Sequence, residues 1–233
     1  MTGVDIEVVR LGYGYFVRPE EETGTGRSRV EPVLGYAVVH PQGLLLLDTG
    51  MGRHPDVEAH YRPRRIPMRA ALRNAGLHAD DVTVVVNCHL HFDHCGGNRE
   101  LPGRPIVVQR TELELTRTED YTLPELVDDP GLRYEEVDGE AEPLPGVLVL
   151  PTPGHTEGHQ SVVVRRGNGD VVVLAGQSHD TASAYAADLL ALRAADEGHP
   201  PPLPLAPAWM SRLRELDPRR VMFAHDLAVW VPE

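Results

Sequence analysis

Short, largely β-branched apolar runs recur along the whole chain, and they constrain its fold more than any other feature. They occur at residues 44–47, 82–86, 106–108, 147–150, 162–164, 171–174 and 221–223. Most are bounded by Gly, Pro, Asp or Asn. Continuous apolar runs of this length are typical of strands that are buried on both faces. The chain is therefore predicted to contain β-sheet covered on both sides.

Helical patterns lie between some of these runs. They occur at residues 68–75, 111–114, 182–195 and 209–216. The first is followed by Gly76, a usual C-terminal stop, and the second has the form of a capping box. Two segments are predicted to be surface loops, residues 18–30 and the Pro-rich 198–207. Without a repeat or a linker, this order predicts one α/β domain over residues 1–233, an αββα sandwich of two packed sheets with helices outside.

Composition and net charge limit the kinds of partner that the chain is expected to bind. The 233 residues are 41% hydrophobic and 24% charged, which predicts a globular chain. A formal net charge of −13 repels phosphate backbones, so no nucleic-acid partner is expected. No apolar run approaches the roughly 20 residues of a membrane span, and no signal peptide is visible. Two isolated cysteines make no disulfide framework, so a cytoplasmic location is expected.

Metal-ligand side chains are densest in one segment, His89-Leu-His-Phe-Asp-His94, directly after the run at 82–86. Three histidines and one aspartate suit zinc or a similar divalent ion. In a turn after a strand, His89 and His91 can point to one position, and Asp93 and His94 to a second one nearby. The alternative is a His-rich surface loop that binds metal only adventitiously.

Three distant segments supply possible partners for this motif. His155 follows the run at 147–150 and can complete a three-histidine site, whereas His159 is expected to be structural. His225 follows the last run and can join the second position, although a lone histidine there is also compatible with an ordinary core or surface residue. Asp48 follows the first run and is expected to orient a ligand or a loop.

In this order, the motifs resemble the metallo-β-lactamase superfamily and, more narrowly, the N-acyl-homoserine lactone lactonases. The superfamily resemblance rests on Asp48-Thr-Gly50, the motif at 89–94, Pro153-Gly-His155 and His225. The narrower one adds residues 96–98, 108–112, 158–161 and 223–226. The resemblance extends from about Pro32 to the end of the chain.

This resemblance implies an αββα sandwich with two zinc ions at one edge. It implies a first site of His89, His91 and His155, and a second site of Asp93, His94 and His225. The implied reaction is attack of a metal-bound hydroxide on a carbonyl carbon, with Asp93 also protonating the leaving group.

The chain departs from the family at two positions. Where the family has an aspartate that bridges both metals, this chain has Gln177, whose amide carries no negative charge. The second metal site is therefore expected to be weakened. Where the lactonases have a tyrosine that holds the substrate carbonyl, this chain has Asp180. Either Asp180 replaces the lost carboxylate, or Tyr185 reaches into the site, or the polar residues around 179–180 are simply solvated.

The leading functional hypothesis is a metal-dependent hydrolase that opens a small lactone or ester. One alternative is hydrolysis of a thioester or an amide in a biosynthetic pathway. Another is a degenerate metal-binding protein without turnover, which the departures at Gln177 and Asp180 keep open. The expected cofactor is one or two divalent ions, zinc first. The expected partner is a small-molecule substrate, and a homodimer is possible.

Overall fold

Two sheets form the centre of the computed structural model, which describes residues 5–118, 121–200 and 205–232. The strands of the first sheet are β1 (Glu7–Arg18), β2 (Arg29–His40), β3 (Gly43–Leu47), β4 (Arg64–Arg65), β5 (Val82–Val86), β6 (Pro105–Gln109) and β7 (Arg133–Val137). The strands of the second are β8 (Ala141–Leu144), β9 (Val147–Pro151), β10 (Gln160–Arg165), β11 (Val171–Leu174), β12 (Arg220–Met222) and β13 (Val229–Trp230). The spatial orders are β4-β1-β2-β3-β5-β6-β7 and β13-β12-β11-β10-β9-β8.

Helices are interspersed among the strands. They are α1 (Glu20–Thr23), α2 (Pro55–Tyr61), α3 (Met68–Asn74), α4 (Phe92–Cys95), α5 (Arg110–Leu115), α6 (Pro124–Val127), α7 (Ala182–Asp196) and α8 (Trp209–Glu215). In the described part of the chain, none of them is both long and apolar enough to cross a membrane.

Alternation along single strands explains the layers. In β3, Leu45 and Leu47 join the core between the two sheets, whereas Leu44 and Leu46 join a second core that includes residues of α3. In β10, Val163 faces the other way from its neighbours and packs in a third core with residues of α7 and α8. Each sheet is thus covered on both faces, as the apolar runs predict, and the αββα sandwich is confirmed.

Strand direction brings the candidate ligands to one edge. β3 and β5 are parallel neighbours in the first sheet, and β11 and β12 are parallel neighbours in the second. β9 runs in the same direction as β11, because both are antiparallel to β10. The carboxyl ends of these strands, where α/β folds usually bind ligands, carry the segments singled out in the sequence.

The predicted apolar runs all form strands, and the four predicted helices form as well. The loop predicted over 18–30 is only partly present, because β1 ends at Arg18, α1 lies within it and β2 begins at Arg29. The capping-box prediction is wrong: Gln109 is the N-cap and makes no side-chain cap bond, so residue 111 lies inside the helix. Part of the other predicted loop, residues 201–204, lies outside the described residues.

Candidate metal centre and active-site cavity

The loop after β5 is held against the loop after β3 by backbone hydrogen bonds. Thr49 N donates to His94 O at 2.7 Å, Gly52 N to Phe92 O at 2.6 Å, and Gly96 N to Gly50 O at 2.8 Å. A Cβ atom at Gly96 would lie only 1.8 Å from Gly52 N, so only glycine allows this approach. The paired loops fix where the histidine motif lies.

One group of three histidines converges at this edge. Ligand atoms of His89, His91 and His155 all lie within 4.8 Å of one another, and His155 Nε2 is 3.2 Å from His91 Nδ1. Two nitrogens bound at about 2.0–2.1 Å to a tetrahedral zinc ion lie about 3.4 Å apart. His89 Nε2 is buried and has no hydrogen-bond partner. Because buried polar atoms are seldom left unpaired, this nitrogen fits a metal ligand.

A second group lies beside the first. Asp93 Oδ2 is 3.5 Å from His94 Nε2 and 3.3 Å from His225 Nε2, and the two Nε2 atoms are 3.3 Å apart. These separations again match those of ligands around one tetrahedral ion. His89 belongs to the first group and His94 to the second, and their ring centroids are 4.0 Å apart. The donor sets therefore fit two adjacent divalent ions.

In the second group, the Nδ1 atoms of His94 and His225, which are not the candidate ligand atoms, are fixed by hydrogen bonds. His94 Nδ1 is 2.9 Å from Asp48 Oδ2, and His225 Nδ1 donates to Pro32 O at 2.9 Å. Such contacts leave each Nε2 lone pair free for a metal. Asp48 also accepts from Cys88 N at 2.9 Å, and its backbone adopts φ 63°, an uncommon conformation for a non-glycine residue. Asp48 therefore has the orienting position expected of it.

Electrostatics favour the ligand forms of His91, His155 and Asp93 at neutral pH. Burial lowers the pKa of His91 to about 4 and that of His155 to about 3, against the opposing charge of Asp93 and with a further lowering from His94 in both cases. Burial opposes ionisation of Asp93, but the charge of His94 and hydrogen bonds from His225 and His94 outweigh it and hold the pKa of Asp93 well below its usual range. Neutral imidazoles and a carboxylate are the forms that bind a divalent ion. His94 differs: burial opposes its protonation, but Cys88, Asp93 and Asp48 outweigh burial and raise the pKa of His94 well above its usual range, so a metal would displace a proton there.

Gln177 and Asp180 occupy different positions. Gln177 is buried and lines the same cavity as His91, Asp93 and His155, and its backbone N–H donates to His159 Nε2 at 3.1 Å. Asp180 instead pairs with Arg29 at 3.1 Å, and it is in none of the ligand groups found among the described residues. His159 also contacts Thr152 Oγ1 at 2.8 Å, as expected of a structural histidine.

The structure does not bring Tyr185 to this cavity. Its ring is fully buried in the core beside α7, with His179, Phe223 and Trp230 at centroid distances of 5.4, 5.7 and 5.4 Å. It lines a separate cavity of about 530 Å³. The helical packing of Ala182–Asp196 against the second sheet determines this position.

A buried carboxylate in α5 was not singled out for a role by the sequence. Glu112 accepts hydrogen bonds from Leu90 N at 2.6 Å, from Thr156 Oγ1 at 2.7 Å and from the Tyr121 hydroxyl. Leu90 lies between His89 and His91, and Thr156 follows His155. Glu112 therefore ties together the loops that carry the first histidine group.

His91 and His155 of the first group and Asp93 of the second line a cavity of about 1090 Å³. Part of its wall is aromatic: Tyr61 and Phe92 stack at 4.9 Å, and Phe16 packs edge-on to Phe92 at 6.0 Å. The rest includes polar and charged side chains, among them Arg18 and Tyr121. A cavity of this size, with an apolar wall and a few convergent polar groups, is typical of a small-molecule site.

Residues 28–225 match the metallo-beta-lactamase superfamily, and the chain belongs to this family. Among curated relatives, an N-acyl homoserine lactonase of a Bacillus species is 34% identical over 156 residues, which are 61% of this chain and 62% of that protein. The N-acyl homoserine lactonase AttM of Rhizobium radiobacter is 29% identical over 174 residues, 65% of this chain and 66% of that one. The chain thus spans a little under two thirds of these relatives.

Solved structures extend the likeness to nearly the whole chain. An N-acyl homoserine lactone hydrolase, solved with its product N-hexanoyl-L-homoserine at the catalytic metal centre, has a TM-score of 0.76 and 26% identity, over 97% of this chain and 95% of that one. A probable metal-dependent hydrolase from Staphylococcus aureus has a TM-score of 0.65 and 16% identity, over 100% and 99% of the two chains, and supports the fold alone.

Proposed function

We propose that this protein is a metal-dependent hydrolase that opens a small lactone, with N-acyl homoserine lactones as the first substrates to test. The observation that carries the proposal is the pair of ligand groups, in each of which the ligand atoms lie within 4.8 Å of one another, with His91, Asp93 and His155 lining one cavity. The similar lactonases support the choice of lactone, and the aromatic wall formed by Phe16, Tyr61 and Phe92 suits an apolar acyl substituent.

In this proposal, His89, His91 and His155 hold one divalent ion, and Asp93, His94 and His225 hold the other. Zinc is the proposed metal, because nitrogen donors with one carboxylate suit it. Such ions lower the pKa of a bound water to about 7 and polarise a carbonyl oxygen. Gln177 offers no negative charge, so the second ion is proposed to bind more weakly than the first.

Asp93 has a further proposed task. Asp93 is ionised at neutral pH and can therefore accept a hydrogen bond from the attacking water. In that position it would take the water's proton as the new bond forms and pass it to the leaving alkoxide oxygen. The acyl carbon gains the hydroxyl group as its bond to the ring oxygen breaks. Water is thereby added across that bond, and a hydroxy acid is the product.

The proposal is tested by turnover of a lactone panel. Metal-loaded protein should open N-acyl homoserine lactones, measured by acid release, and a chelator should abolish the reaction. Asp93→Ala should lower kcat by about 10²–10⁴-fold while the first histidine group still binds metal. Near-unchanged turnover in that variant would contradict the proposed proton transfer.

The alternatives give different results in the same assay. Faster turnover of thioesters or amides than of lactones would favour the other hydrolase hypothesis. Metal uptake without turnover of any panel member would favour a ligand-binding protein. The cytoplasmic location and the homodimer stay predictions.

A further inference from the structure

The thiol of Cys88 lies at the centre of a cluster of buried polar side chains beside the two metal-ligand groups. Its Sγ is 3.0 Å from Asp48 Oδ2, 3.1 Å from His89 Nδ1 and 3.3 Å from His94 Nδ1. The residues of this cluster are exposed by 2% or less. The thiol therefore contacts one candidate ligand from each group.

The hydrogen of this thiol is donated to Asp48. A thiol carries one hydrogen, a carboxylate only accepts hydrogen bonds, and Cys88 Sγ lies 3.0 Å from Asp48 Oδ2. The carboxylate is itself held, because its Oδ1 accepts from Cys88 N at 2.9 Å. Since its hydrogen is already used, the sulfur can only accept a hydrogen bond from an imidazole.

His89 is the histidine that depends on this sulfur. Among the hydrogen bonds of the described residues, Cys88 Sγ is the only partner of His89 Nδ1. Because the sulfur accepts in this contact, Nδ1 carries the proton and Nε2 keeps its lone pair. His89 Nε2 is the buried nitrogen that lacks a hydrogen-bond partner. The thiol thus fixes the form of His89 that suits the first metal position.

His94 depends on the sulfur far less. Its Nδ1 lies 2.9 Å from Asp48 Oδ2 and 3.3 Å from Cys88 Sγ. A carboxylate oxygen is also a stronger acceptor than a sulfur atom. Asp48 therefore holds His94 directly and holds His89 through the thiol.

The polar atoms on the Nδ1 side of the His89 ring already have hydrogen-bond partners. His89 Nδ1 and Cys88 Sγ contact each other. His159, the other histidine near this thiol, accepts from Gln177 N at its Nε2 atom, at 3.1 Å. The unpartnered nitrogen of His89 is on the opposite side of the ring, so the metal position belongs there.

We propose that Cys88 is a positioning residue whose thiol, oriented by Asp48, holds His89 with its Nε2 atom towards the first metal position. A histidine that binds a metal usually donates its other N–H to a carboxylate, a backbone carbonyl or a water, and here a thiol takes that place. This inference rests on the proposed function in so far as the first group holds metal. Loss of such a contact usually lowers metal affinity by about 10–100-fold.

Zinc titration of single-site variants tests this role. Asp93→Ala leaves the first group as the complete one, and His155→Ala leaves the second. In the Asp93→Ala background, Cys88→Ala should weaken zinc binding by about 10–100-fold, because His89 loses the partner of its Nδ1 atom. In the His155→Ala background the loss should be much smaller, because the second group keeps its direct contact with a carboxylate.

Cys95→Ala is the matched control. Cys95 is also buried and belongs to the same motif, but among the described residues its Sγ bonds to Leu90 O, at 3.5 Å, and not to an imidazole. Removal of this sulfur should leave zinc affinity unchanged in both backgrounds. Cys88→Ser, whose hydroxyl also donates and accepts, should recover most of the affinity that Cys88→Ala loses.

Heteronuclear NMR of the imidazole nitrogens gives a readout that does not need zinc. In metal-free wild type, His89 should be protonated at Nδ1. In metal-free Cys88→Ala both tautomers of His89 should be populated, because the acceptor that selects one of them is absent. Cys95→Ala should give the spectrum of wild type.

The inference is overturned if Cys88→Ala keeps the zinc affinity of its parent, if Cys95→Ala loses as much affinity, or if His89 of wild type is protonated at Nε2. Lactone turnover by zinc-loaded wild type is measured separately and judges the proposed function. The expected zinc and NMR results without turnover contradict the function alone. Turnover by wild type, with unchanged zinc affinity in Cys88→Ala, contradicts the positioning role alone.

Discussion

At the scale of single residues, Glu112 shows how a side chain outside the ligand groups can control them. Its carboxylate receives hydrogen bonds from residues 22 and 44 positions away, Leu90 and Thr156, each next to a candidate ligand. Burial raises its pKa, and the hydrogen bonds from Tyr121 and Thr156 offset part of that shift. The carboxylate of Glu112 therefore links the loop that carries His89 and His91 to the loop that carries His155.

Glu112→Gln should weaken metal binding at the first histidine group by about 10-fold or more, because the amide cannot accept all the bonds that the carboxylate accepts. Metal titration against a competing chelator measures this. Glu114→Gln, an exposed position on the same helix, is the control and should match wild type. Unchanged affinity in Glu112→Gln would show that the loops hold their positions without it.

The sequence identifies residues at this scale only where the signal is local. The motif at 89–94 is compact, and its histidines can be recognised from spacing alone. Glu112 and Arg18 acquire their positions from partners that are distant in sequence, so no spacing reveals them. For Asp180 the sequence left several roles open, and only its tertiary contact with Arg29 distinguishes them.

At the scale of elements, strands that are buried on both faces are easier to predict from the sequence than strands that are partly exposed. β3 and β5 are apolar on both faces and are visible as continuous runs. β1 is longer, but exposed positions alternate with buried ones along it and Gly12 and Gly14 interrupt it. It has no continuous apolar run, and its pairing with β2 is a long-range contact that sequence patterning does not show.

The loop contact at Gly96 belongs to this scale. Gly96→Ala should destabilise the protein by about 1–3 kcal/mol, because a Cβ atom would collide with the backbone of the loop after β3. It should also weaken zinc binding, since the same contact positions the histidine motif. Thermal unfolding and zinc titration measure the two effects.

Gly12→Ala is the control for this substitution, because no atom lies within 4 Å of a Cβ at that position. Its stability should stay within about 0.5 kcal/mol of wild type. A Gly96→Ala variant as stable as Gly12→Ala would mean that the two loops can move apart without lowering the stability of the protein.

At the scale of the whole molecule, each ligand group joins the two sheets. His89, His91, Asp93 and His94 follow β5 of the first sheet, whereas His155 and His225 follow β9 and β12 of the second. A metal bound to either group would therefore link both halves of the sandwich. Any ligand that binds only the folded state stabilises it by mass action.

Removal of metal should lower thermal stability for this reason. At a free zinc concentration about 100 times Kd, the stabilisation is about 2.7 kcal/mol. Differential scanning calorimetry with zinc and with excess chelator should show a lower Tm in chelator. Substituting His155→Ala should reduce the difference, because it removes a cross-sheet ligand. Identical Tm values for wild type in the two conditions would contradict binding to these groups.

Anomalous diffraction from zinc-loaded crystals is the most direct test of two adjacent metal sites at one edge of the sandwich. One peak is expected about 2.0–2.1 Å from nitrogens of His89, His91 and His155, and a second, weaker peak beside Asp93, His94 and His225. Peaks on the other side of these rings, beside Cys88 with Asp48 or His159, or no peak near the histidines, would contradict this arrangement.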